Sequence, residues 1–357
     1  MTHLFDPFAL RSLTLKNRIG ISPMCMYSSS EGQANEFHIA HLGARAAGGA
    51  GLVIAEATAV EARGRITPFD AGLWSDAHIE PLSHVTREVR RYGAVAGIQL
   101  AHAGRKASMD RPWGLAPNQA LDTAHGGWPV VGPCAIPYSP NYHTPLALSV
   151  GEIHAITDAF VAATQRALAA GYQLIELHGA HGYLLHEFLS PLSNQRDDDY
   201  GGSFDNRTRF LCEVVRAVRA AWPEHLPLGV RLSCTDWAPG GWAEADSIAL
   251  AKILKSEAVD FIDCSSGGNS STQKIPLGPG YQVPFAASIR AQAGIATAAV
   301  GLITNAAQAN AIVAQGQADL VFLAREALRN PMFPWHAARA LGHPDAVHLP
   351  PQYARAE

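Results

Sequence analysis

The chain has 357 residues, 48% of them hydrophobic and 16% charged, with a formal net charge of −4. That supplies a large core and no basic stripe for nucleic acid. Its five cysteines form no CxxC pair, the first twenty residues lack a signal-type apolar stretch, and no run approaches the roughly 20 apolar residues that span a bilayer. A disulfide scaffold and a membrane protein are disfavoured, and a reducing cytoplasm is the expected compartment.

Short apolar runs recur along the chain: RIGISPM (18–24), GLVIAEAT (51–58), AVAGIQL (94–100), YQLIEL (172–177), PLGVRL (227–232), DFIDCS (260–265), IATAAVG (295–301) and DLVFLAR (319–325). Segments of helical period lie between them. In 152–170, Ile153, Ile156, Phe160 and Ala167 share one face, Ser149 and Glu152 have capping-box spacing, and Gly171 ends the helix. In 206–222, Phe210, Val214, Val218 and Trp222 form the face and Pro223 ends it. Eight near-continuous hydrophobic strands alternating with helices predict a parallel sheet covered by helices, closed as a (β/α)₈ TIM barrel. Residues 110–150, with seven prolines, read as a long ordered loop after strand three, and 266–284 as another after strand six. No interdomain linker appears, so residues 1–357 are expected to form one domain.

Active sites of such barrels lie at the C-terminal ends of the strands. Here those ends carry Cys25, Ala57, Gln99, His178, Arg231, Ser265, Gly301 and Arg325. Two arginines at an apolar mouth need anionic partners, and only Asp263 lies near, so a bound anion is expected. Arg325 and Gly301 occupy the place where barrels commonly hold a phosphate, glycine letting backbone N–H groups come close. GxGxxG after the first strand and GxxxxGK[ST] are both absent, which disfavours a Rossmann site and an NTPase.

The stretch ELHGAHGYL (176–184) places His178, His181 and Tyr183 at the end of strand four. A metal site needs a third ligand. Glu176 is expected to alternate away from the barrel axis, and His186 and Glu187 to lie on the next helix. The favoured reading is a pair of imidazole donors on one substrate oxygen, as in an oxyanion hole, with Tyr183 supplying a proton to the neighbouring carbon. A metal-dependent barrel hydrolase built on His178 and His181 is the alternative. Histidines that merely satisfy loop backbone are the bland one.

The motifs LFDPFALRSLTLKNRI, SPMCMYS (22–28), EATAVEARGRI (56–66), IQLAHAGRKAS (98–108), HGAHGYL (178–184), LSNQRDDDYGGSFDNRTRF (192–210), GYQVPFA (280–286) and PPQYAR cover almost the whole chain. Together they resemble the old yellow enzymes, FMN-dependent ene-reductases, in their xenobiotic reductase A-like and thermophilic-like subgroup. The resemblance implies Ser22, Pro23, Met24 and Cys25 along the flavin, Ala57 and Gln99 against its ring, and Arg231 at its N1/O2 side. It implies Gly301, Ala324 and Arg325 on the phosphate. It implies His178 and His181 on a substrate carbonyl, Tyr183 as proton donor, and Tyr27 holding the substrate. NADPH or NADH would be the reductant, and enones or enals the substrates. The tail, about 345–357, would lie at a subunit interface, with Arg355 completing the neighbour's site in a homodimer or dimer-based tetramer. Two positions depart from the pattern. Ala324 replaces a glycine common in relatives, and Leu302 replaces a tryptophan that shapes the pocket.

Overall fold

The computed structural model describes residues 2–356. Eight parallel strands close into a barrel in sequence order: β1 (Ile19–Ile21), β2 (Leu52–Ala59), β3 (Val95–Ala101), β4 (Leu174–Gly179), β5 (Leu228–Ser233), β6 (Phe261–Ser265), β7 (Ala296–Ala299) and β8 (Leu320–Leu323). Helices return the chain between them, chiefly α1 (Glu36–Ala47), α2 (Ile79–Arg91), α3 (Val150–Ala169), α4 (Phe204–Ala221), α5 (Glu244–Ser256), α6 (Val283–Ala293), α7 (Ala306–Ala314) and α8 (Phe333–Ala340). The expected TIM barrel is therefore present.

The local signals act as expected. Ser149 accepts from the Glu152 amide while Glu152 reaches back to the Ser149 N–H, and Gly171 takes φ +85° after the helix. Ile153, Ile156, Phe160 and Ala167, like Phe210, Val214, Val218 and Trp222, are buried against the sheet. The long loops fall after β3 and β6, and the first carries a small parallel ladder, Val131–Gly132 with Leu146–Ala147.

The barrel interior is read from alternate residues. Leu52, Ile54, Val95, Leu174, Phe261, Ala298, Val300, Leu320 and Phe322 fill its lower layers. The rings of Phe261 and Phe322 meet edge-on, 6.3 Å apart. They fit because Gly20 and Gly229 lack side chains: a Cβ would come within 2.4 Å of Phe322 and 2.2 Å of Phe261. Below them an antiparallel hairpin, Phe8–Leu10 with Leu13–Leu15, plugs the floor with Leu10 and Leu15. This hairpin has no counterpart in the sequence reading, because two three-residue strands are too short for periodicity to register.

β2 contains a bulge. Ala55 pairs with Ile98 but Ala57 pairs with Gln99, so Glu56 is an extra residue. A bulge re-aims the side chains beyond it. Here it turns Ala57 into the mouth and sends Glu56 toward the preceding loop, where it accepts from the Met26 amide at 3.0 Å.

Candidate active site

The residues expected at the mouth come from all eight strands or the turns after them, and the fold gathers them. Ser22 is fastened to β8 by its amide, which donates to the Leu323 carbonyl at 2.9 Å. Its hydroxyl is buried without a hydrogen-bond partner. Pro23 is buried behind it, and Met24 packs on the outer core. Cys25 follows with its thiol held well above the usual range, by burial first and then by the Asp70 and Glu56 carboxylates, while the Ala57 backbone partly offsets this. The thiol is thus neutral. Tyr27 takes a left-handed conformation, φ +49°, and meets the Trp113 ring edge-on at 5.7 Å.

One expectation about charge is corrected and a second is sharpened. Glu176 was expected to face away from the axis, but residues two apart on a strand share a face. It lies inward with His178, fully buried, and accepts from the Gln99 amide at 2.7 Å. For Arg231, Asp263 was the one carboxylate expected nearby, and a bound anion was expected to complete its pairing. Asp263, on the neighbouring strand, places Oδ2 3.0 Å from its Nε, although the N–H is not aligned for a hydrogen bond. Burial, and then their mutual repulsion in the case of Glu176, pushes both carboxyl groups up, and the Arg231 charge opposes this. The guanidinium also lines the open cavity.

That cavity, about 280 Å³, runs from His181, Arg231 and Ser265 to Gly301, Ala324 and Arg325. Gly301 has φ +121°, and a Cβ there would approach Gln282 Nε2 to 2.9 Å, so only glycine leaves its backbone open to a ligand. Ala324 has φ −109°, which an L-residue tolerates, so this departure from the pattern costs no left-handed strain. Leu302, also lining the cavity, has φ +51° and gives its carbonyl to Gln308. A flavin mononucleotide fits these donors. The open backbone at Gly301 with the exposed Arg325 suits a phosphate, Arg231 lines the same cavity, and the Ser22 hydroxyl is a buried polar group left without a partner.

At the other side of the mouth lie His178 and His181. His178 Nδ1 accepts from the Ala180 amide at 3.3 Å, which leaves the proton on Nε2. His181 has φ +60°, and its Nε2 lies 2.7 Å from Ser265 Oγ. Burial first, then the Arg231 charge, pushes both imidazoles well below their usual pKa, so they are neutral. The rings stand perpendicular at 5.1 Å, and Tyr183 lies 5.0 Å from His178. Burial, followed by Cys25, raises the Tyr183 hydroxyl well above its normal pKa, and it keeps its proton. His186 and Glu187 lie on the short helix Leu184–Leu189, as expected, His186 facing Asp236 at 3.0 Å. Among the described residues no three His, Cys, Asp or Glu side chains converge as metal ligands.

Arg355 is exposed on the 3₁₀ segment Pro351–Ala356 and does not line the cavity of its own chain. Three participants had no role assigned from sequence: Gln282, Arg105 and Lys106. Gln282 accepts from Ser266 and donates to the Val300 carbonyl. The adjacent cations after β3, in a mouth otherwise poor in charge, were the available signal for the other two.

A family profile described as NADH:flavin oxidoreductase / NADH oxidase matches residues 3–343. The chain is 48% identical over 343 residues to an NADPH dehydrogenase of Geobacillus sp., covering 96% of this chain and 95% of that one. It is 47% identical over 355 residues to an NADPH dehydrogenase of Halalkalibacterium halodurans, covering 99% and 98%. Among solved structures, morphinone reductase in complex with tetrahydroNAD superposes with a TM-score of 0.79 at 27% identity, covering 99% of this chain and 94% of that one. An old yellow enzyme homologue from Zymomonas mobilis gives 0.78 at 26%, covering 98% of each.

Proposed function

Since the chain belongs to the NADH:flavin oxidoreductase / NADH oxidase family, we propose that it reduces the C=C bond of α,β-unsaturated aldehydes, ketones and related activated alkenes. It is an oxidoreductase of the old yellow enzyme type, with FMN as cofactor and a nicotinamide as reductant. Arg325 with the backbone at Gly301 and Ala324 would hold the phosphate, and Ser22, Pro23, Met24, Cys25, Ala57, Gln99 and Arg231 the ring. When bound, FMN would supply the hydride chemistry that links NAD(P)H to the substrate Cβ. Both reactants use one site in turn, and residues 1–357 form a single domain around it.

The observation that carries this reading is the geometry of the His178–His181–Tyr183 group, whose rings stand nearly perpendicular at 5.1 and 5.0 Å on one side of the mouth. With Nδ1 of His178 occupied by the Ala180 amide, its Nε2–H is a fixed donor for the substrate oxygen. His181 supplies the second donor from Nε2, turning from Ser265 to the incoming oxygen. Two neutral donors stabilise negative charge that grows on that oxygen without binding a carboxylate in its place. Tyr183, protonated and adjacent, gives its proton to Cα. Tyr27 holds the far side of the substrate. Cys25, a neutral thiol, tunes the flavin and is not a covalent nucleophile. Leu302, smaller than tryptophan, leaves the pocket wider than in relatives with the ring.

Arg355 fits a role in trans in a homodimer or dimer-based tetramer, because its own chain gives it no place in the cavity. Deletion of 352–357 then raises the apparent KM while FMN stays bound. No helix of the described residues is long and apolar enough to cross a membrane, and the free cysteines suit a reducing cytoplasm.

The test is a spectrum followed by mixing. The purified protein should be yellow, NADPH should bleach it, and cyclohexenone should restore the colour. His178→Ala and His181→Ala should each slow that second step by about 10²–10³ with FMN retained, as for loss of an oxyanion donor. Stoichiometric zinc without flavin absorbance would favour the hydrolase reading, and wild-type reoxidation in both variants would remove the clamp.

A further inference from the structure

His181 is held in a conformation that non-glycine residues rarely adopt, φ +60°. Its backbone is gripped on both sides, and both grips lead to the loop after β6. The His181 amide donates to Ser233 Oγ at 2.9 Å, and that hydroxyl donates to the Gly267 carbonyl at 2.7 Å. The His181 carbonyl accepts from Lys106 Nζ at 2.8 Å, and the same ammonium donates to the Gly268 carbonyl at 2.9 Å. The two backbones touch directly. A Cβ on Gly268 would come within 2.5 Å of the His181 Cα, and one on Gly182 within 2.3 Å of the Gly268 oxygen.

Arg105, the neighbour of Lys106, reinforces the junction by donating to the Asn269 carbonyl at 2.7 Å and to its side chain at 3.0 Å. Lys106 Nζ also lies 5.2 Å from the centre of the Tyr183 ring and 4.5 Å from that of Tyr138, on the long loop after β3. One ammonium therefore meets the turn carrying His181, the proton donor's ring and both long loops.

We propose that Lys106 is a positioning residue for the carbonyl clamp, locking the His181 peptide to Gly268 so that the imidazole is aimed before substrate arrives. It acts through His181 and need not touch substrate. Converging on carbonyl oxygens whose directions are fixed by two glycine-dependent turns, it preorganises a donor that would otherwise relax from its left-handed conformation. The inference rests on the clamp reading given above.

The charge itself is exposed to titration. Burial first, and then Arg105, lowers the Lys106 pKa to about 8, with Glu187 opposing. The groups facing it are Arg105 on its own turn, His181 and Tyr183 on the turn after β4, Glu187 on the following helix, and Tyr138 on the long loop. His178 senses it as well. The imidazoles are already neutral near pH 8, but Glu187 is raised to about 8 as well, so the lysine's share is read from Lys106→Arg with Glu187→Gln as the control.

The experiment mixes pre-reduced enzyme with cyclohexenone between pH 6 and 10, using wild type, His181→Ala, Lys106→Met, and Lys106→Arg alone and combined with Glu187→Gln. Hydrogen exchange of residues 266–270 is followed in parallel. At pH 7 Lys106→Met should raise the half-saturation constant about tenfold, the scale of one lost charge-assisted bond, and release protection around Gly268. Wild type should weaken in binding above about pH 8, and Lys106→Arg, which stays charged, should flatten that rise. A Lys106→Met enzyme with wild-type half-saturation and pH profile, beside an impaired His181→Ala, would overturn this inference alone. An alkaline rise that persists in Lys106→Arg combined with Glu187→Gln would also overturn it. If His181→Ala itself behaves as wild type, the clamp reading fails and this inference falls with it.

Discussion

The lower and upper halves of the barrel interior obey different rules. Below, Phe261 and Phe322 interlock over glycines, and leucine, isoleucine, valine and alanine side chains fill the space around them. Above, Glu176, Asp263, Arg231 and Gln99 occupy the next inward positions, and several of their polar atoms are buried without an aligned partner. The same strands carry both. A packed apolar layer supplies the stability that a desolvated polar layer consumes, and in this fold the consuming layer is the one at the strand ends where chemistry occurs.

That contrast can be broken first at the bottom. Phe261→Ala should lower unfolding free energy by about 3–5 kcal/mol, read by denaturant titration, while the rate per folded molecule stays near wild type. A large loss of turnover without loss of stability would show that the two layers are not separable. At the top, Tyr183→Phe should cut reoxidation by an enone about 10²-fold, within the range of general-acid effects, and leave the melting temperature close to wild type. Arg325→Ala should weaken FMN retention by about tenfold or more, as expected for a lost charge-assisted pair, measured by equilibrium dialysis. It should leave the fold intact, since the side chain is exposed.

A further test sharpens the comparison through pH. Glu187 is fully buried, and burial raises its pKa from 4.5 to about 8 against the opposing Arg105 charge. The folded state therefore keeps a proton that the unfolded state releases, and this group's contribution to stability falls as pH rises from about 4.5 through 8. Glu187→Gln cannot ionise. Its melting temperature relative to wild type should be higher at pH 9 than at pH 5, and a difference constant across that range would show that Glu187 is ionised in the fold.

The contrast also explains what could be read from residues alone. Helix faces such as Ile153–Ile156–Phe160 and the eight apolar runs carry their own period, so the barrel was legible. Strand ends follow from the barrel, so His178, Arg231, Gly301 and Arg325 could be placed at one mouth. The Asp263–Arg231 contact and the two cations binding the loop after β6 depend on cross-strand register and on residues more than 160 positions apart. No local pattern reports them. The misplacement of Glu176 was of another kind, since simple alternation from His178 already places it inward.

Counting inward residues along β2 gives 52 and 54, and then 57 and 59. The strand changes phase at Glu56, even below and odd above. Anyone redesigning the pocket by stepping two residues at a time from Leu52 would place the new side chains outside the barrel, among the helices. Deleting the extra residue, Glu56, would restore simple alternation and leave Ala57 opposite Gln99, whereas adding or removing one residue elsewhere in the strand would exchange its two sides beyond that point. The cavity wall at Leu302 is set by a single loop residue, whereas the wall formed by β2 is editable only in units that respect its offset.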